Sequence, residues 1–79
     1  MEHTMSYDKE DMQDALIGDT LKEVIDSLTE RGYNPTNQLV GYLMSGDPGY
    51  ISSNRDARAK ITKFDRAKVL ETLLKEYMK

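Results

Sequence analysis

Cysteine is absent from this 79-residue chain, which removes disulfide staples and thiolate zinc sites together. The one histidine, His3, is too little for a histidine metal cluster and leaves no Ser-His-Asp or Cys-His set for nucleophilic catalysis. No glycine-rich phosphate loop precedes a helix: Gly46-Asp47-Pro48-Gly49 has neither the lysine nor the spacing of a P-loop. Neither an enzyme nor a cofactor or metal site is therefore expected. No apolar run approaches the ~20 residues that span a bilayer, and Met1-Glu2-His3-Thr4-Met5 lacks the basic-then-apolar order of a signal peptide, so a cytoplasmic protein with no membrane association is expected. Strand signals are missing too. No stretch alternates apolar and polar residues with β-branched enrichment, and there is no Asn-Gly or Asp-Gly hairpin turn.

What is present reads as helix. Leu16, Ile17, Leu21, Val24, Ile25 and Leu28 recur at helical spacing, with Asp14, Lys22, Glu23, Asp26 and Glu30 largely opposite. Gly18-Asp19 is a candidate break in this helix, leaving a strong segment from Asp19 to Arg31. A second helix from Pro35 to Ser45 carries Leu39, Val40, Tyr42, Leu43 and Met44 on more than one face, the pattern of a helix buried on two sides. Ser53 followed by Asp56 resembles a capping box and starts a helix from about Asn54 to Lys63. Asp65 caps a last helix with Val69, Leu70, Leu73, Leu74 and Tyr77 on one face, either separate from its predecessor or one bent helix with it. The expected fold is all-α: a mobile acidic tail over residues 1–11, then one compact bundle of four or five short helices over 12–79, with helix-turn-helix-like connections.

Size and charge add two expectations. A chain this short has a marginal core, and a second helix apolar on several sides has surface that one copy cannot cover, so a homodimer is expected. Residues 1–30 hold nine acids against Lys9 and Lys22, whereas residues 31–79 hold nine bases against five acids. That asymmetry suggests an acidic arm on a mildly basic body. Short helices with a basic penultimate helix make a helix-turn-helix nucleic-acid-binding protein the alternative reading. The net charge of −3 and the acidic first thirty residues oppose it, since binding DNA requires neutralising several phosphates at once.

The densest information lies between Gly32 and Ile51. Gly32 closes one helix in the left-handed conformation, Asn34 caps the next, and Pro35 takes its first position, where no N–H is needed. Gly46, Asp47 and Pro48 repeat these roles. The run Gly-Tyr-Asn-Pro-x-Asn-Gln-Leu-Val-Gly-Tyr-Leu-x-Ser-Gly-Asp-Pro-x-Tyr-Ile resembles the signature of the IreB/ReoM family of small regulatory phosphoproteins of Gram-positive bacteria. The similarity continues through Ala57-Arg58, Ile61, Arg66 and the Leu70, Leu73, Leu74, Tyr77 series. It implies a homodimeric, non-catalytic regulator whose phosphorylation by a membrane-anchored Ser/Thr kinase with PASTA repeats, opposed by a phosphatase, links wall stress to peptidoglycan synthesis and antibiotic tolerance. The route it implies is Clp proteolysis of the enolpyruvyl transferase that commits precursors to the wall, with a protease adaptor or wall enzyme as partner.

Three groups of residues are candidates for function. Thr4, an ordinary tail threonine on the sequence alone, matches through Thr4-Met5 and the following Tyr7 the phosphoacceptor that the resemblance implies; His3 stands where glutamine is common. The basic stretch Arg55, Arg58, Lys60, Lys63, Arg66 and Lys68 is either a solvated face making helix–helix salt bridges or a partner and phosphate surface. The resemblance favours the latter for Arg58 and Arg66, which share a face if the helix is continuous. Ser53 and Thr62 occupy positions where relatives often carry arginine, with Arg55 and Lys63 as partial replacements. The third group is Tyr33, Asn34, Asn37, Gln38, Tyr42, Asp47 and Tyr50. Asn34 and Asp47 are caps, and Asn37 and Gln38 make inter-helix or inter-subunit hydrogen bonds or contact a partner.

Overall fold

The computed structural model describes residues 9–79, and every regular element among them is helical. Helix α1 spans Lys9–Glu30, α2 Pro35–Ser45, α3 Ala57–Ile61 and α4 Arg66–Tyr77. Two 3-10 turns, Pro48–Tyr50 and Asn54–Asp56, lie between α2 and α3.

Helix α1 is the spine. Its stripe of Ile17, Leu21, Val24 and Leu28 is almost fully buried and gathers Tyr42 of α2, Ile51, Ala57 and Ile61 around α3, and Val69 of α4 into one core. Leu39, Leu43 and Phe64 pack against it. The helix does not break at Gly18-Asp19: its interior glycine costs about 1 kcal/mol relative to alanine, which the stripe on either side outweighs. Nor does the expected tail reach Asp11. Lys9, Glu10 and Asp11 form the first turn, where Glu10 pairs with Lys75 at 2.6 Å.

The helix ends follow the sequence punctuation. At the end of α1 the Tyr33 amide donates to the Leu28 carbonyl at 2.9 Å and Gly32 to Thr29 at 3.0 Å, a closure that requires the positive φ of +83° at Gly32. The Asn34 side chain accepts from the Asn37 amide at 3.0 Å, with Pro35 in the first turn of α2. Gly46, at φ +78°, donates to the Tyr42 carbonyl at 2.7 Å, and Asp47 caps the first 3-10 turn by accepting from the Gly49 amide at 2.8 Å.

Three expectations need correction. Ser53 makes no side-chain capping bond, and Arg55 and Asp56 both lie in the left-handed region, at φ +58° and +62°, so α3 begins only at Ala57. Asp65 has the backbone of a cap, but its side chain makes no capping bond. Helix α2 is buried along one side only, with Tyr42 inward and Val40 and Met44 exposed.

Candidate functional site

Two sets of residues that are separate in sequence meet at the corner where α2 ends. The Gln38 amide donates to the Tyr50 carbonyl at 3.0 Å, Arg58 Nε to the Ile51 carbonyl at 2.8 Å, and Arg66 Nη1 to the Leu43 carbonyl at 3.0 Å. All three acceptors are main-chain oxygens at the end of α2 and the turn after it. Two glycines make room for this convergence. A Cβ at Gly41 would clash with the ring of Tyr50, and one at Gly46 would come within 2.8 Å of the Arg66 guanidinium. The corner is therefore closed by a tyrosine packed on α2 and by two arginines reaching it from α3 and α4.

This arrangement changes the expected role of Arg58 and Arg66. They do not share a face of one helix, because α3 ends at Ile61 and α4 starts at Arg66. Each uses one guanidinium nitrogen on a carbonyl and keeps its other N–H groups for further acceptors, since a guanidinium carries five. Both remain exposed, so the corner presents positive charge. Lys63 is exposed in the connection between α3 and α4.

Arg55 sits elsewhere, at the carboxyl end of α1. Its Nε donates to Glu30 Oε1 at 3.1 Å and its terminal nitrogen pairs with Glu30 Oε2. Asn54 donates to the same carboxylate at 3.0 Å. These donors hold the Glu30 carboxyl below its ordinary value, with the Asn54 hydrogen bond as the largest cause. Beneath them the fully buried Ser27 donates to the Asn54 carbonyl at 2.9 Å and meets the Ser52 hydroxyl at 2.6 Å.

At the other end of α1 a second polar cluster joins α4. Lys75 lies 2.9 Å from Asp14 and 2.6 Å from Glu10, and the Thr72 hydroxyl lies 2.9 Å from Asp14. The Lys75 and Thr72 hydrogen bonds hold the Asp14 carboxyl below its ordinary value, and Glu10, then Asp14, push the Lys75 ammonium up. With Lys60 on Glu23 at 2.5 Å and Arg55 on Glu30, four acids of α1, Glu10, Asp14, Glu23 and Glu30, bind bases along the rest of the chain. The charge asymmetry is thus partly internal: the described part of the acidic arm is a helix packed on the basic body.

The remaining candidates divide cleanly. Asn34 and Asp47 are caps, Asn37 is exposed at the start of α2, and Tyr33 is 50% exposed. Tyr42 is only 4% exposed and belongs to the core of its own chain. Thr4 lies outside the described residues. Sequence reasoning missed Glu30, Asn54, Ser27 and Gly41; only Gly41 carried a signal, a glycine inside a helix that marks a close approach.

The outer face of α4 carries a cluster of exposed apolar residues. Leu70 and Leu73 are 45% and 41% exposed, Leu74 59% and Tyr77 90%. Leu73 also lines an open groove with Ala15, Gly18, Leu21 and Ile25 of α1. On α2, Met44 is 81% exposed beside Val40. Among the described residues no helix is long and apolar enough to cross a membrane. In comparison with known families, the model described as IreB regulatory phosphoprotein matches residues 2–79.

Proposed function

This chain belongs to the family of IreB regulatory phosphoproteins, and on that premise we propose that it is a non-catalytic, homodimeric switch, phosphorylated on Thr4 by a PASTA-type Ser/Thr kinase and reset by a phosphatase. In this reading it controls cell-wall synthesis in the cytoplasm through Clp proteolysis of the enolpyruvyl transferase, by contact with a protease adaptor or the enzyme itself. The observation that carries the interaction role is the exposed apolar face of Leu70, Leu73, Leu74 and Tyr77, continuous through Leu73 with the groove along α1. A contiguous apolar surface on a small domain is an interaction site rather than a solvated face.

A second copy is the proposed occupant of that face, because a chain of this size gains stability by burying it. The corner formed by Arg58, Arg66 and the end of α2 then stays available to a partner. A phosphate on Thr4 adds about −1.5 to −2 charges and three acceptor oxygens, which the outward N–H groups of these arginines suit. Nucleic acid is a poorer ligand: Arg55, Lys60, Lys68 and Lys75 already face carboxylates, which reduces the charge available for phosphates.

The test is a pull-down from native cytoplasm with Thr4→Ala and Thr4→Glu forms compared. Differential recovery of a protease adaptor or wall enzyme is expected. Equal recovery by both forms would contradict the switch, and specific DNA fragments would replace it with the nucleic-acid reading.

A further inference from the structure

Sequence and structure disagree at one place, Ser53 to Asp56. The sequence offers a helix start there, with Ser53 as cap and Asp56 three residues on, yet Arg55 and Asp56 lie at φ +58° and +62° and the Ser53 side chain caps nothing. Neither residue is glycine. Left-handed backbone at two consecutive side-chain-bearing residues persists only where surrounding contacts enforce it. Those contacts are visible. Arg55 and Asn54 place three donors on the single carboxylate of Glu30, and buried Ser27 holds the Asn54 carbonyl. A local preference opposed by a small set of tertiary contacts is the composition of a two-state element.

We infer that residues 53–56 are a strained clasp fastened by Glu30, and that unfastening it lets Arg55 and Asp56 turn right-handed, so that α3 extends back to Asn54. Glu30 and Arg55 are each about half exposed, so the fastening is open to solvent and to competitors for either partner. The movement reaches the corner through Arg58, whose amide donates to the Ser52 carbonyl and whose Nε donates to the Ile51 carbonyl. In the extended helix the Arg58 amide moves to the Asn54 carbonyl, and its side chain must leave or follow Ile51. The clasp therefore links the end of α1 to the orientation of an exposed arginine 28 residues away in sequence.

Solution NMR of the full chain tests this. Positive φ gives a strong intraresidue Hα–HN NOE, expected in the wild type at Arg55 and Asp56. In Glu30→Ala both should fall to the level seen at Ala57, with shift changes at Arg58 and Ile51 and none at Ile17 or Val69. Adding Asp56→Gly, which favours positive φ, should restore the Arg55 signal. Retention of both strong NOEs in Glu30→Ala would overturn the inference, because the turn would then be held by packing in a single state. If Glu30→Ala does not fold, Asp56→Gly alone decides: relief of strain raises the thermal midpoint, and a lower midpoint would overturn the clasp.

Discussion

Alanine in place of glycine inside a helix should stabilise by about 1 kcal/mol, and this chain offers two such positions with opposite expected outcomes. At Gly18 nothing lies within 4 Å of a new Cβ, so Gly18→Ala should show the full gain. At Gly41 the Cβ would stand 2.6 Å from Tyr50 Cδ1 and 2.8 Å from Cζ, so the ring must leave its place on α2. Tyr50 is 39% exposed, and losing the buried remainder forfeits roughly 1 to 2 kcal/mol by the usual scale for large side chains. If the Tyr50 main chain follows, the Gln38 hydrogen bond adds about 1 kcal/mol. These losses exceed the propensity gain, leaving Gly41→Ala destabilised by roughly 1 to 2 kcal/mol. Urea melts monitored by circular dichroism measure the difference. In thermal melts each kcal/mol corresponds to a shift of about 4 to 8 °C for a domain of this size. Stabilisation of both variants by the same amount would show that Tyr50 does not pack in the notch, and the closed corner would be wrong.

Other expectations follow from the polar contacts and the apolar face. Arg66→Ala should lose about 1 kcal/mol through the unpartnered Leu43 carbonyl, with the amide exchange of Gly46 accelerated; unchanged exchange would remove the capping role. The Asp14 and Glu30 carboxyls titrate below their ordinary values of 3.8 and 4.5, so each contributes stability that is present above that value and lost as pH falls through the lower folded-state value. Asp14→Asn and Glu30→Gln should each flatten the acid limb of the pH–stability curve below about pH 4. A limb identical to the wild type would show that these pairs do not persist in solution. Leu74→Glu with Tyr77→Glu should leave the helical spectrum intact while sedimentation changes from dimer to monomer, and a dimer that survives both charges would move the interface off α4.

The parts of the fold legible in the sequence were those decided locally. Gly32, Asn34, Gly46 and Asp47 act on neighbours within a few residues, and the stripe of α1 repeats at helical spacing, so these caps and that face could be read directly, whereas α4 buries Val69 and Thr72 and leaves Leu70, Leu73, Leu74 and Tyr77 of its expected stripe exposed. What escaped was decided across the chain. Arg55 and Asp56 turn left-handed because Glu30, at the end of α1, holds the segment, and no local rule reports a partner 25 residues away. Arg66 closes α2 from 23 residues on, and Gly41 is required by a ring that arrives only after the next turn. The continuity of α1 through Gly18-Asp19 likewise depends on apolar residues on both sides burying against three other helices.

The central claim is that modification of Thr4 changes what this helical body binds, and phosphate mapping together with partner recovery tests it most directly. Protein isolated from cells under wall stress and analysed by intact and peptide mass spectrometry should carry one phosphate on Thr4, absent when the kinase is removed. The phosphorylated and unmodified forms should recover different amounts of the same protease adaptor or wall enzyme. An unmodified Thr4 under all conditions, or a phosphorylated form that binds as the unmodified one does, would contradict the account.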